Sequence, residues 1–185
     1  MGPYFTGKGD DGTTGLLGEG RVSKSDLRLE TLGALDEASA ALGLARSLLK
    51  SNKLSAIVVQ IQRDLYLLMA EVSATAENVA RFSKINADKV RWVEQQIETL
   101  GHSTSLPEEF IVPGDTLSGA AMSLARATVR RAERRVVELV NANQFGNKHA
   151  LAYINRLSSL CFVLEVHEIK AGRTAPPTLA KRTSI

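Results

Sequence analysis

The sequence is short of most residue types that announce a chemistry by themselves. Cys161 is its single cysteine, so it holds no internal disulfide and no multi-cysteine zinc site, and it fits a reducing compartment. Aromatic residues make up 5% of the chain, sparse for the stacking platforms that hold single-stranded nucleic acid. Charge of one sign is not in excess. The net +3 is too small to argue for nucleic acid on its own. No apolar run reaches the ~18 residues of a membrane span and no secretory leader is visible, so a cytoplasmic protein without membrane contact is expected. His102, His149 and His167 are scattered, and the doubled Glu-x-x-His of di-iron bundles is absent. They read as surface or loop histidines, and no direct metal ligand set is expected.

What is present is helical. At 185 residues with 44% hydrophobic and 23% charged content, the chain suits one domain that buries roughly 70% of its unfolded surface. Residues 27–49 carry Leu29, Leu32, Leu35, Ala38, Leu42, Ala45 and Leu49 at helical spacing. Ser51 or Asn52 can cap a second helix running to about Ala80, followed by a connector from Asn78 to Ile85. Asn86 is the expected N-cap of a third helix, with Gly101 as its C′ residue. Residues 102–115 hold Pro107, Pro113 and Gly114 and read as a loop. A fourth helix is expected from Thr116 to Asn143 and a fifth from Asn147 to Lys170. The expected fold is all-α, an up-and-down five-helix bundle over 25–170, with a loop segment at 1–24 and a tail at 171–185.

The fourth helix holds the densest signal. Arg126, Arg130, Glu133 and Arg134 recur at i, i+4, i+7 and i+8 and share a face. Leu117, Ala121, Leu124, Thr128, Ala132, Val136 and Leu139 form the stripe expected to face the core. Arg130, Arg131, Arg134 and Arg135 crowd around Glu133, and a guanidinium fork matches carboxylate and phosphate oxygens. The alternative is a solvated charged face. The N-terminal Gly7, Gly9 and Gly12 satisfy G-x-G-x-x-G, and Gly2 with Gly7-Lys8 mimics a phosphate loop. Neither sits in a βαβ unit. What remains is a segment of exposed backbone N–H groups, Thr13 and Thr14 hydroxyls, and the cations Lys8, Arg21 and Lys24, suited to phosphate. A plain N-terminal tail is the alternative.

Three blocks in this order carry a family resemblance. They are Thr6-Gly7-Lys8-Gly9-Asp10-Asp11-Gly12-Thr13-Thr14 with Lys24; Phe110-Ile111-Val112-Pro113-Gly114 leading to Arg126-x-x-x-Arg130-Arg131-Ala132-Glu133-Arg134; and Tyr153-Ile154-Asn155-Arg156-Leu157-Ser158. Gly33-Ala34-Leu35-Asp36-Glu37 adds to them. From about Phe5 to Leu164 the chain resembles the corrinoid (ATP:cob(I)alamin) adenosyltransferases of the propanediol-utilisation type. The resemblance implies a homotrimer with sites between subunits, and ATP, magnesium and a cobalamin-type corrinoid as ligands. By position, Thr6, Gly7, Lys8, Gly9, Thr13, Thr14 and Lys24 would contact ATP, with Arg130, Glu133, Arg134 and Asn155 completing that site. Asp36, expected on the inner part of helix one, and Arg126 would pair on the corrinoid side. Phe110 would lie against the lower corrin face; its alternative is an ordinary loop anchor. Ser159 stands where Asp is common, and Glu165-Val166 where Ala-Arg is common.

The implied reaction transfers the 5′-deoxyadenosyl group of ATP to Co(I), releasing triphosphate. Such a nucleophile needs no general base. The protein must align the reactants and stabilise charge on the leaving group, which casts Arg130, Glu133 and Phe110 as the catalytic set. Magnesium is held mainly by ATP, with Glu133 as the candidate side chain near it. A corrinoid reductase and an adenosylcobalamin-dependent mutase are the implied partners. The competing reading is a non-catalytic nucleotide-binding or scaffold protein of the same fold.

Overall fold

The computed structural model describes residue 4 and residues 6–104, 106–173 and 175–181. Gly2 and Phe5, which enter two of the sequence patterns, lie outside them. The described chain runs β1 (Thr13–Gly15), β2 (Arg21–Ser23), α1 (Leu27–Leu48), α2 (Asn52–Ser73), α3 (Val79–Phe82), α4 (Ala87–Ser103), α5 (Leu117–Asn141) and α6 (Lys148–Gly172). Five long helices make the bundle expected from the sequence. Each begins at a side chain that accepts from an otherwise unpaired backbone N–H: Asp26, Ser51, Asn86, Thr116 and Asn147.

α1 packs against α2 and α5, and α6 packs against α5 and α4. Leu35, Leu42, Ile61, Leu65, Leu68, Ile154 and Leu157 are fully buried at the centre. One polar network crosses this core. Asp64, 1% exposed, accepts from Tyr153 Oη at 3.1 Å and Gln60 Nε2 at 3.0 Å and pairs with Lys89. α1 and α5 are aligned antiparallel, because Thr31 Oγ1 reaches the Arg135 carbonyl and Glu37 pairs with Arg131.

Several sequence expectations are corrected. The N-terminal segment is a small antiparallel hairpin rather than loop throughout, pairing Thr13 with Ser23 and Gly15 with Arg21. The second helix stops at Ser73. Leu17 pairs with Ala74 there, and Arg28 takes the Val72 and Ala74 carbonyls at 2.9 and 3.1 Å. The connector after it contains the short α3. Gly101 lies inside α4, which closes through a bond from Thr104 N–H to the Gly101 carbonyl. On α5, Leu117 is 79% and Leu124 53% exposed. The buried stripe is Ala121, Met122, Ala125, Val129, Ala132, Val136 and Leu139, a phase set by packing against both α1 and α6.

Candidate functional site

The structure divides the crowded arginines of α5 into two pairs. Arg131 turns to α1 and pairs with Glu37, and Arg135 pairs with Glu138 one turn on. Arg130 and Arg134 have no ion pair among the described residues. Arg134 Nη1 bends back to the Arg130 carbonyl at 3.1 Å. Beside them Asn155 Nδ2 of α6 donates to Glu133 Oε1 at 2.7 Å, and Asn155 Oδ1 accepts from Arg156 Nη1 at 2.9 Å. Arg156 Nε in turn donates to Glu94 of α4 at 3.2 Å. The chain Glu94–Arg156–Asn155–Glu133 therefore orients the acid between α5 and α6. A recess of about 470 Å³ opens over Arg130, Glu133, Arg134 and Asn155. Its two guanidinium groups, neither in an ion pair among the described residues, suit an anion with several oxygens.

Arg130 also lines a second, adjoining groove of about 460 Å³ with Phe110, Arg126, Ser158, Ser159 and Phe162. Arg126 lies with Cζ 6.0 Å from the centroid of the Phe162 ring, within cation–π range. Phe110 is 86% exposed, so it does not anchor its loop on the bundle. The anchor is the C-terminal tail. Val112 N–H donates to the Thr178 carbonyl and Ala180 N–H to the Phe110 carbonyl, both at 2.7 Å, around an antiparallel bridge between Ile111 and Leu179. Asp115 fastens the tail by pairing with Arg173 and accepting from Thr178 N–H and Oγ1, each at 2.8 Å. The Thr178 N–H is the main cause holding its carboxyl below the ordinary aspartate range, with the Thr178 hydroxyl and Arg173 adding to it against the cost of desolvation.

The glycine segment is folded on its own cations. Gly7 and Gly12 take φ of +67° and +78°, which side-chain-bearing residues rarely adopt. Lys24 Nζ donates to the Gly9 carbonyl at 2.7 Å, and Arg21 Nε donates to Thr13 Oγ1 at 2.8 Å. Asp11 accepts from Thr13 N–H at 2.9 Å, the largest cause lowering its carboxyl below the ordinary range. Thr6, Lys8 and Thr14 share this segment, with Thr6 and Lys8 exposed and Thr14 half-buried.

Among the described residues, no hydrogen bond or ion pair joins this segment to Arg130, Glu133, Arg134 or Asn155 within one chain. Asp36 is exposed rather than on the inner part of helix one, because the core phase of α1 is carried by Ala34, Leu35, Ala38 and Leu42. No ion pair links it to Arg126 within the chain. Phe110, Arg126 and Arg130 do meet in one groove, and Arg130, Glu133, Arg134 and Asn155 in the other. Sequence reading missed Arg156 and Asp115, whose roles depend on partners 62 and 63 residues away. Cys161 is fully buried, and burial pushes its thiol up to about 12, so it is not a nucleophile at neutral pH. No group of three or more His, Cys, Asp or Glu side chains able to hold a metal ion occurs among the described residues.

A family model described as cobalamin adenosyltransferase matches residues 4–168. Corrinoid adenosyltransferase PduO of Citrobacter freundii is 35% identical over 162 residues, covering 86% of this chain and 48% of that protein. The chain thus spans about half the length of that relative. Corrinoid adenosyltransferase of Bacillus subtilis (strain 168) is 33% identical over 162 residues, covering 85% of this chain and 82% of that one. Among solved structures, a variant PduO-type ATP:corrinoid adenosyltransferase from Lactobacillus reuteri, complexed with cobalamin and ATP, superposes with a TM-score of 0.88. It is 28% identical, with 97% of each chain covered.

Proposed function

This chain belongs to the cobalamin adenosyltransferase family, and from that premise we infer that it transfers the 5′-deoxyadenosyl group of ATP to the cobalt of a reduced corrinoid, releasing triphosphate. The observation that carries this reading is the pair of adjoining hollows that share Arg130. One is polar with two unpaired guanidinium groups, and the other is walled by Phe110 and Phe162. A triphosphate in the first and a flat macrocycle in the second would bring C5′ and cobalt together at the shared wall.

The roles follow from position. Arg130 and Arg134 take the phosphate oxygens, and Arg130 stabilises charge as triphosphate departs. Glu133, held by Asn155, would orient an arginine or a water on the magnesium that ATP brings, and that magnesium would be held mainly by ATP. The backbone of Thr6–Gly9, with Thr13, Thr14 and Lys24, supplies further donors to ATP once Lys24 exchanges the Gly9 carbonyl for phosphate. Phe110 excludes water and a lower axial ligand from the corrinoid. Arg126 and Asp36 flank it, paired across a subunit boundary.

Assembly as a homotrimer accounts for two features. Within one chain the described residues of the glycine segment share no bond with the arginine recess, so a neighbour's segment would complete the site. The alignment of Glu37 with Arg131 also sets Leu44 and Leu48 of α1 near Leu124 and Leu117 of α5, all exposed. That apolar row is suited to burial against another copy. On this reading residues 1–24, 25–170 and 171–185 act as parts of one domain. The protein is cytoplasmic, consistent with no described helix being long and apolar enough to cross a membrane. It receives electrons through a corrinoid reductase and passes product to an adenosylcobalamin-dependent mutase.

Anaerobic incubation of reduced cobalamin with ATP, magnesium and the protein tests the reading through the optical change as the cobalt–carbon bond forms. Binding of ATP without that change would leave a non-catalytic nucleotide-binding protein of the same fold.

A further inference from the structure

Behind the groove wall, α6 carries Glu165, 1% exposed, with neither carboxylate oxygen hydrogen-bonded among the described residues. Burying such a group without a partner is costly. Glu168, one turn along the same face and 6% exposed, adds a like charge. Across the seam on α5, Arg126 has the complementary deficit. Its Nε is buried without a partner among the described residues and forms no ion pair with Glu165 there, while its guanidinium carbon lies over Phe162, one turn from Glu165 on α6. The seam is tight: a Cβ on Gly119 would stand 2.9 Å from Ile169 and 3.5 Å from the Glu165 carbonyl. Burial raises the Glu165 carboxyl above its ordinary range, and the Arg126 charge pulls it back. His167 also has a buried, unpartnered Nδ1, but residues two apart on a helix do not face each other.

We propose that Glu165 is the intrachain counter-charge of Arg126, a positioning residue that holds the guanidinium root in the α5–α6 seam over Phe162. The rest of the guanidinium is then presented to the groove beside Phe110. Glu165 acts through Arg126 and touches neither substrate. Its effect on catalysis rests on reading that groove as the corrinoid side.

Two measurements on the full chain test the pairing. In urea unfolding, Arg126→Gln should lose stability by stranding the carboxylate, Glu165→Gln should be near neutral, and the double variant should regain most of the loss. Should Arg126→Gln alone not fold, folding of the double variant carries the same meaning. Additive effects would overturn the pairing. In steady-state kinetics, Glu165→Gln should raise the half-saturating cobalamin concentration about tenfold and leave that for ATP within about twofold. Glu165→Asp, which keeps the charge, should restore part of the loss. Equal changes for both substrates, or none, would overturn the positioning role. Absence of adenosyl transfer by the wild type would remove the proposed function, while the unfolding cycle would still decide the pairing.

Discussion

Asn155 donates to Glu133 at 2.7 Å across the α5–α6 seam, and it is itself held by Arg156. A half-buried acid beside four arginines would otherwise be free to choose among them. Here its direction is set from the neighbouring helix. Asn155→Ala should therefore release Glu133 without harming the fold, since both Asn155 and Arg156 are exposed. A hydrogen bond to a charged group is worth ~1.5–3 kcal/mol, so ATP affinity should fall roughly 10- to 100-fold. Titration calorimetry with ATP and magnesium reads this directly. Unchanged affinity would separate Glu133 from nucleotide binding.

Arg130 and Arg131 are neighbours in sequence with opposite expectations. Arg130 has no ion pair among the described residues and lines both hollows, whereas Arg131 is committed to Glu37. Arg130→Ala should lower kcat by about 10²–10³-fold, the effect of one lost donor at developing charge. Arg131→Ala removes a surface pair worth ~0–1 kcal/mol and should leave turnover nearly intact. Equal activity in the two variants would contradict the division of the cluster.

Asp115 governs Phe110 from a distance through the tail. Because its folded pKa is lowered, its contribution is fully present above the unfolded value of about 3.9. That contribution is lost as pH falls through the lower folded value. The tail should stay latched across the neutral range and detach only in acid. Amide exchange at Val112 and Ala180, whose N–H groups make the two tail bonds, should accelerate only there. Asp115→Ala should release them at neutral pH and raise the half-saturating corrinoid concentration more than that for ATP. Slow exchange in that variant would show that the strand pairing holds without Asp115.

Asp64 tests the core. Removing it strands Lys89 and leaves the buried Tyr153 hydroxyl without its acceptor. Asp64→Ala should cost about 3–5 kcal/mol, as for a broken buried pair, measured by urea denaturation. Asp64 lines neither hollow, so its loss should change neither substrate constant while the protein remains folded.

Much of the fold was legible because helices are local. The apolar periodicity of α1, α2 and α6 and the caps at Ser51, Asn86 and Asn147 are properties of neighbouring residues. The arginine row was legible for the same reason, since i and i+4 share a face wherever the helix is placed. Three matters were decided only by tertiary structure. Which stripe of α5 is core depended on two flanking helices, so Leu117 and Leu124 lie outside while Met122 and Ala125 lie inside. Whether Arg131 stays available depended on Glu37 of α1 capturing it, whereas Arg135 is taken locally by Glu138 one turn on. How Phe110 is held depended on a tail strand nearly 70 residues away, joined by backbone hydrogen bonds that any residue except proline can donate. Periodicity records what a segment can bury; only packing determines which partner it meets.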